Sequence, residues 1–272
     1  MASPAPLLRW AGSKKRQFGK MEPFFPRSLG KYIEPFAGSA AFAFRLAPSA
    51  VVVNDVNRDV IDFYRHASTK IDKFYDAFSK LPRGKRSYYR IRANFNASHR
   101  GFERSVLFYY LNRNCFNGIY RVNLSGEFNV PFSASRVAPY PSKGSFAEAA
   151  RKINDFALTC HDFEKCCESH AHKGDFVYMD PPYVDDSRRI FSEYNQQGFG
   201  LSDFHRLAKL LVRLNGRGVK FLVSYPKTKE ALQLANDWAS DEIVVRRSVA
   251  GNPAFRISED ELLIFNYDQN HT

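Results

Sequence analysis

The chain has 272 residues, 44% of them hydrophobic and 25% charged, which is enough to fill a sizeable core and excludes wholesale disorder. Its 40 Lys and Arg against 28 Asp and Glu give a net charge of +12, which suits nucleic acid as a partner and equally a plain cationic surface. No apolar run reaches the roughly 18 residues that span a bilayer, and the N-terminus shows no signal pattern. We therefore expect a cytoplasmic protein with no membrane partner.

The first part of the chain predicts alternating strands and helices. The predicted elements are a strand over Tyr32–Phe36, a turn at Ala37-Gly38-Ser39, a helix over Ala40–Leu46, a strand over Val51–Val53 that ends at Asn54-Asp55, and a helix over Val56–His66. This order is typical of a parallel sheet with crossover helices.

The middle of the chain has a different character. Eight basic residues against one acid lie between Lys80 and Arg104, with aromatics interleaved, and Leu111–Ser133 is dense in Asn, Arg, Gly and aromatics. We interpret residues 59–141 as an inserted, mainly helical subdomain, with residues 1–58 and 142–272 forming the two parts of the main domain. A basic run is often only a solvated face, and contact with phosphates is the alternative.

The last part returns to strands and helices. The predicted elements are a strand over Asp175–Met179, a helix over Ser202–Leu214 with Ser202 as its N-cap, and strands over Lys220–Ser224, Glu242–Arg246 and Glu261–Tyr267. The predicted fold class is α/β, with a seven-stranded, mostly parallel, Rossmann-like sheet that carries helices on both faces.

The cysteines do not predict a metal site. Three cysteines and three histidines gather in Cys160–His172, but their spacing is irregular and contains no paired CxxC. These three cysteines and Cys115 are interpreted as reduced thiols, and we expect no bound metal.

The first strand-to-helix turn predicts a cofactor site. Small residues in Glu34–Ala41 let the backbone approach a nucleotide-like cofactor closely. Asn54-Asp55 closes the second strand about 20 residues later, where an acid is placed to bind ribose hydroxyls. Together they predict a nucleoside-containing cofactor, with candidate ligands Glu34, Phe36, Gly38 and Asp55.

Asp180-Pro181-Pro182-Tyr183, at the end of an apolar strand, is the strongest signal in the chain. Ligands of open α/β sheets bind outside the carboxyl ends of the strands. An aromatic amino group is a poor nucleophile because its lone pair is delocalised into the ring. The carboxylate of Asp180 and the carbonyl of Pro181 can both accept from such a group and localise that lone pair. Pro182 stiffens the loop, and Tyr183 offers a face on which a base can stack.

Several motifs occur in one order along nearly the whole chain. They are Arg9–Lys14, Tyr32–Ala41, Asn54-Asp55, Leu111–Arg113, Phe116–Gly118, Gly126–Phe132, Asp180–Tyr183, Phe191–Phe199, Arg247-Ser248 and Glu261–Leu263. In this order the sequence resembles the Dam-like family of DNA adenine methyltransferases. The resemblance implies a methyltransferase fold, S-adenosyl-L-methionine as the methyl donor, and double-stranded DNA as the partner of a prokaryotic or viral enzyme that acts as a monomer.

The resemblance also implies roles for individual residues. Trp10 and Lys14 match the residues that hold the methionine part of the cofactor, Asp55 the ribose ligand, and Asp180 a residue shared between cofactor and target adenine. The implied DNA-binding residues are Arg9, Phe116, Asn117, Ile119, Arg121, Asn123, Asn129 and Pro131, with Arg90 and Arg92 as phosphate contacts. Phe116 and Asn117 would enter the duplex near the flipped base, and Arg9 would help to read the first guanine.

The sequence departs from the family pattern at two positions. The cofactor turn usually reads Gly-small-Gly, whereas here it reads Gly38-Ser39-Ala40, and the extra methyl group is expected to crowd the cofactor. Tyr225 stands where many relatives carry Asn, and nothing in the sequence explains that change.

The expected reaction is transfer of a methyl group to the exocyclic N6 amino group of a flipped adenine in double-stranded DNA, with GATC favoured as the site. The alternatives are another adenine-containing site, or service as the modification subunit of a restriction–modification system. Other enzymes use the same tetrapeptide on RNA or on protein glutamine, but they lack the Asn112–Phe132 signature. A catalytically inactive DNA-binding module is disfavoured because Asp180, Tyr183 and Lys14 are intact. A nuclease subunit is disfavoured because the sequence shows no cluster of acidic and lysine residues at the spacing that nucleases use.

Overall fold

The computed structural model describes residues 3–46, 49–134, 139–183, 199–248 and 256–268, and at 246–248 and 256–259 it describes the backbone alone. Of the family-like stretch Phe191–Phe199, only Phe199 lies within the described residues. The strands are β1 (Tyr32–Glu34), β2 (Val51–Asn54), β3 (Phe156–Thr159), β4 (Phe176–Met179), β5 (Lys220–Pro226), β6 (Ala239–Ser248) and β7 (Arg256–Phe265).

These strands form one seven-stranded sheet in the order β3-β2-β1-β4-β5-β7-β6. The pairings from β3 to β5 are parallel, whereas β7 runs antiparallel to both β5 and β6. The prediction of a seven-stranded, mostly parallel sheet is confirmed. The sequence analysis did not predict β3, a short edge strand over Phe156–Thr159 in which only Phe156 is buried.

Ten α-helices lie among the described residues. They are α1 (Phe18–Met21), α2 (Ala41–Leu46), α3 (Arg58–Thr69), α4 (Ile71–Ser79), α5 (Lys85–Ala97), α6 (Phe102–Asn114), α7 (Lys143–Asn154), α8 (Phe163–His170), α9 (Leu201–Gly216) and α10 (Lys229–Ala235). Side chains alternate between the two faces of the sheet, so that Tyr32 joins the core shared with α2 to α7, while Ile33 joins the core shared with α8 to α10. Helices therefore cover both faces, as predicted.

The segment between β2 and β3 is mainly helical. It contains α3 to α6, then an irregular stretch with two isolated β-bridges, and then α7. Its aromatic residues share one continuous hydrophobic core with the sheet: Phe63 stacks on Tyr109 with ring centroids 5.0 Å apart, and both belong to the cluster that contains Tyr32 and Tyr178. The division at residues 59 and 141 and the DNA-binding role of the segment remain predictions.

The start of α9 differs from the prediction. Gly200, rather than Ser202, occupies the N-cap position, and the carboxylate of Asp203 accepts a hydrogen bond from the backbone N–H of Gly200 at 3.1 Å. Ser202 lies inside the first turn. Asp203, at the third helical position, satisfies the N–H of the N-cap residue, whereas Gly200 has no side chain that could accept from the N–H groups of the first turn.

No helix in the described part of the chain is long and apolar enough to cross a membrane. In the same residues, no group of three or more His, Cys, Asp and Glu side chains is arranged to hold a metal ion.

Candidate active site

The carboxyl ends of three neighbouring parallel strands bring together the segments that the sequence singled out. Strand β1 leads into the Phe36–Ser39 turn, β2 ends beside Asp55, and β4 leads directly into Asp180–Tyr183. Because parallel strands end at the same edge, residues far apart in the chain meet in one crevice. The structure therefore places the predicted catalytic and cofactor segments at one edge of the sheet.

Gly38 lets the first turn pass directly beneath Trp10. Its φ angle is +47°, and a Cβ built on it would lie 2.4 Å from Cδ1 of the Trp10 ring. Both the left-handed backbone and the close approach of the indole require glycine at this position. The Trp10 ring in turn lies near that of Tyr120, with centroids 6.2 Å apart and ring planes inclined by 20°.

Asp55 is tied to this turn by backbone hydrogen bonds. One carboxylate oxygen accepts from the N–H of Gly38 at 2.9 Å, and the other accepts from the N–H of Asn57 at 2.8 Å. Burial raises the pKa of Asp55 to about 6, although both backbone hydrogen bonds oppose this shift. Asp55 therefore orders the turn itself, a structural role that the sequence reading did not foresee.

Ala40 has a backbone conformation that favours glycine. Its φ angle is +51°, its side chain is buried, and its N–H donates to the carbonyl of Ala37. An L-residue in the left-handed region costs roughly 1–2 kcal/mol. The family's glycine at this position therefore has a backbone explanation as well as the crowding that the sequence suggested.

We expect Ala40→Gly to stabilise the protein by about 1 kcal/mol, which raises the midpoint of thermal unfolding by roughly 2–4 °C. If the methyl group also crowds the cofactor, calorimetry will show tighter binding of S-adenosyl-L-methionine. Ala43→Gly is the matched control, because Ala43 is equally buried but lies within α2, where glycine is unfavourable. A fall in the midpoint for both variants would contradict the backbone argument.

Lys14 lies at the centre of the residues that were predicted to be catalytic. It begins a short 3-10 helix, Lys14–Gln17, and is almost fully buried. Its ammonium nitrogen lies 3.1 Å from Oδ1 of Asp180, donates to the hydroxyl of Tyr183 at 3.3 Å, and forms an ion pair with Glu261. Burial alone would lower the pKa of Lys14, but Asp180, Tyr183 and Glu261 together raise it above its ordinary value.

Strand β5 supports the tetrapeptide from the other side. Ser224 is buried, and its hydroxyl lies 3.4 Å from Oδ1 of Asp180 and 2.9 Å from the hydroxyl of Tyr178. The next residue, Tyr225, packs edge-on against Tyr183 with ring centroids 5.5 Å apart. Sequence reasoning missed this support, in which Tyr225 contacts the tetrapeptide through Tyr183.

Glu34 and Phe36 have different surroundings, although both were predicted to bind the cofactor. Glu34 is buried, and burial raises its pKa to about 8. The hydrogen bond that the Tyr32 hydroxyl donates to Glu34 at 3.1 Å opposes this shift. Phe36 stacks on Phe163 with centroids 5.2 Å apart and meets Phe199 edge-on. Helix α8, which begins at Phe163, was not predicted to belong to this site.

Residues 119–131 form an irregular hairpin that α5 holds in place. Three polar residues on one face of α5, spaced by four, contact the backbone of 128–130: Tyr88 donates to the carbonyl of Val130, Arg92 to those of Asn129 and Val130, and Asn96 exchanges two hydrogen bonds with Phe128. Positions four apart lie above one another on a helix, so the helix satisfies the free edge of the hairpin.

The predicted base-reading residues lie on this hairpin. Nε of Arg121 donates to the side-chain oxygen of Asn129 at 2.8 Å, across the bridge between Val122 and Phe128. The side chain of Asn123 accepts from two backbone N–H groups and closes the turn around Leu124. Ile119 is half-buried, whereas Pro131 is exposed.

The predicted duplex-entering residues occupy a strained turn. Asn117 has a φ angle of +53°, and a Cβ on the following Gly118 would lie 2.5 Å from Cβ of Arg9. The side chain of Asn112 fixes the backbone of Arg9 by accepting from its N–H at 2.9 Å and donating to its carbonyl at 2.6 Å. The structure thus brings Arg9 beside Phe116 and Asn117, and non-glycine residues in this conformation cluster at functional sites.

The basic run Lys80–Arg104 divides into two groups. Four members contact the protein itself: Arg83 lies over the Tyr140 ring, Arg92 binds the hairpin, Arg100 pairs with Asp62, and Arg104 pairs with Asp59. The other members, Lys80, Lys85, Arg86 and Arg90, are all exposed, as are Arg83 and Arg100. The phosphate-binding prediction for Arg90 is compatible with this exposure, whereas the described contacts of Arg92 are structural.

The strand order and the acidic residues at its carboxyl edge define an α/β methyltransferase fold. Residues 10–249 match the sequence model for the D12 class of N6 adenine-specific DNA methyltransferases. The chain is 32% identical to a DNA adenine methylase of Haemophilus influenzae over 95% of its own length and 92% of the relative's.

Two further relatives come from other organisms. A DNA adenine methylase of Escherichia coli is 32% identical, over 94% of this chain and 93% of the relative. The type II methyltransferase M.MjaIII of Methanocaldococcus jannaschii is 31% identical, over 80% and 83% respectively. The chain belongs to the D12 class of N6 adenine-specific DNA methyltransferases, which confirms the family that its motifs indicated.

Proposed function

We propose that the protein is a cytoplasmic, monomeric methyltransferase that uses S-adenosyl-L-methionine to methylate the N6 amino group of the adenine in GATC, after that base has left the duplex. The observation that carries this proposal is the cluster of Asp180, Tyr183 and Lys14 beside the turn that Trp10 covers. The family membership supports adenine in DNA as the substrate.

The residues at the sheet edge fit the proposed cofactor. The turn at Gly38 leaves no room for a Cβ beneath Trp10, and the buried ammonium of Lys14 suits a carboxylate such as that of the methionine part. Asp55, Phe36 and Glu34 are proposed to complete the site, with Asp55 towards the ribose. When bound, S-adenosyl-L-methionine supplies a methyl group on a positively charged sulfur, which is the electrophile of the reaction.

Asp180 and the backbone of Pro181 are proposed to activate the target amino group. A carboxylate and a carbonyl that accept both amino protons draw the nitrogen lone pair out of the ring and orient it. Tyr183, braced by Tyr225, stacks against the base and holds its plane. Adenine must leave the helix to reach these groups, as other enzymes that modify bases require.

The hairpin and the neighbouring turn are proposed to read the DNA. Arg121 uses Nε for its bond to Asn129, and a bidentate contact with a guanine edge would use its two Nη groups. Arg9, Ile119, Asn123, Asn129 and Pro131 are proposed to contact the duplex around the flipped base, which Phe116 and Asn117 enter. Exposed Arg90 is proposed to meet phosphate, whereas Arg92 is proposed to act chiefly by holding the hairpin.

The role of Arg121 separates reading from positioning. We expect Arg121→Ala to relax specificity at one base pair of the site by about 1–3 kcal/mol, with methylation of near-cognate duplexes rising relative to GATC. Arg90→Ala, the matched control, should weaken binding to all duplexes alike and reduce the salt slope by about one unit. Rates on cognate and single-mismatch duplexes across a salt series measure both effects. An equal loss on every sequence for Arg121→Ala would make it a backbone contact.

The site itself is tested by expressing the protein in cells that lack DNA methylation and mapping modified adenines by long-read sequencing. Methylation confined to GATC supports the proposal, and a different methylated sequence would refute GATC while leaving the chemistry intact. The relative M.MjaIII is named a type II methyltransferase, so a role beside a restriction enzyme is the second candidate. Death of cells in which the methyltransferase gene alone is inactivated would favour that role.

A further inference from the structure

Glu261 is a fully buried carboxylate that the reaction described above does not use. It lies on β7 opposite Pro226 of β5, two residues along from the point where Ser224 approaches Asp180. One of its oxygens forms the ion pair with Lys14, and the other has no hydrogen-bond partner among the described residues. A buried carboxylate with an incompletely satisfied oxygen lowers the stability of the fold, so its presence favours a role in function.

The geometry shows a cation shared between two carboxylates. The ammonium of Lys14 contacts Oδ1 of Asp180 on one side and Oε1 of Glu261 on the other, and both Lys14 and Glu261 are shielded from water. In a poorly solvated site, a lysine with one carboxylate partner would bind that partner strongly. With two partners, part of its charge is compensated by Glu261.

We infer that Glu261 is a positioning residue for the reaction. It takes part of the Lys14 charge that Asp180 would otherwise compensate alone, and so keeps the Asp180 carboxylate available to accept from the adenine amino group. The inference rests on the proposed activation of adenine by Asp180. Glu261 acts through Lys14 and touches neither substrate nor cofactor in this account.

Glu261→Gln tests the inference because it keeps the shape of the side chain and removes its charge. We expect the single-turnover rate of methyl transfer on a GATC duplex to fall by about tenfold or more, because the neutral amide no longer competes with Asp180 for the charge of Lys14. A duplex with 2-aminopurine in place of the target adenine should still show its full fluorescence increase on binding, since base flipping does not depend on this charge. Glu242→Gln is the matched control, because Glu242 also pairs with a lysine, Lys227, but is exposed on the neighbouring strand β6.

A rate within about threefold of the parent for Glu261→Gln would overturn the inference. Loss of the rate together with the fluorescence increase would also overturn it, since that result indicates a purely structural role. If the parent enzyme itself gives no fluorescence increase, base flipping is refuted instead, and a stability cycle then decides the role of Glu261.

The stability cycle tests whether Glu261 acts through Lys14. Lys14→Met leaves Glu261 buried without its cation and should lower the unfolding midpoint, and adding Glu261→Gln should restore part of the loss. Calorimetric titration with S-adenosylhomocysteine on the same variants reports whether the cofactor site survives. Two independent, additive losses of stability would mean that the residues are not coupled, and the inference would fail.

Discussion

Asp180→Ala is expected to abolish methyl transfer, with a fall in rate of roughly 10³-fold or more, while binding of duplex DNA survives. The two effects should differ because Asp180 is proposed to orient the amino group, whereas contacts with phosphates supply most of the affinity for DNA. The variant should fold, because Lys14 keeps its ion pair with Glu261 when Asp180 is removed. Transfer of tritiated methyl groups and fluorescence anisotropy with a labelled duplex measure the two properties.

Asp237→Ala is the control for this experiment, since it removes an exposed carboxylate remote from the tetrapeptide in sequence. Its rate and DNA affinity should match those of the parent. A rate for Asp180→Ala within about tenfold of the parent would refute the assignment of Asp180. Loss of DNA binding and transfer together would instead point to a collapsed site, which a thermal melt would reveal.

Gly38→Ala should be the most damaging change in the cofactor turn. Its Cβ would lie 2.4 Å from the Trp10 ring, and its φ of +47° disfavours any side chain. The turn or the indole must move, and either movement disturbs the backbone N–H that Asp55 holds. We expect affinity for S-adenosylhomocysteine to fall by about tenfold or more, and the backbone alone to cost roughly 1–2 kcal/mol of stability.

Two control variants separate the cost of the backbone conformation from the cost of the clash with Trp10. Gly174 has a φ of +86° with open space around it, so Gly174→Ala should show a backbone cost without a clash. Gly144 lies in α7 with open space and an ordinary φ, so Gly144→Ala should be neutral or slightly stabilising. Trp10→Leu, added to Gly38→Ala, should recover stability but not cofactor affinity. Full affinity in Gly38→Ala alone would show that the turn tolerates a methyl group.

Much of the site could be predicted from the sequence because its chemistry lies in short local patterns. The β-branched and apolar runs before Asp55 and Asp180 define strands, and the residues that follow them fall at the carboxyl edge of any parallel sheet. The small residues after β1 predict a close turn, and Gly38 has the left-handed backbone that such a turn requires. Family motifs in a fixed order then supplied roles that composition and spacing could not.

Other features depend on which segments the fold brings together. Lys14 and Glu261 are 247 positions apart, and only the burial of β7 beside the N-terminal 3-10 helix joins them. Tyr225 contacts Tyr183 because β4 and β5 are neighbours in the sheet.

The basic run Lys80–Arg104 shows most clearly that tertiary contacts, and not local sequence, decide the role of a charge. Its charges look alike in the sequence, yet Arg104 pairs with Asp59 while Arg90 is exposed to solvent. The sequence by itself determined the class of fold and the family, and it singled out the Asp180–Tyr183 tetrapeptide, because each depends on short local patterns and their order along the chain. Only the tertiary structure decided which charges are paired and which aromatics support the site, because these partners come from segments that no local pattern connects.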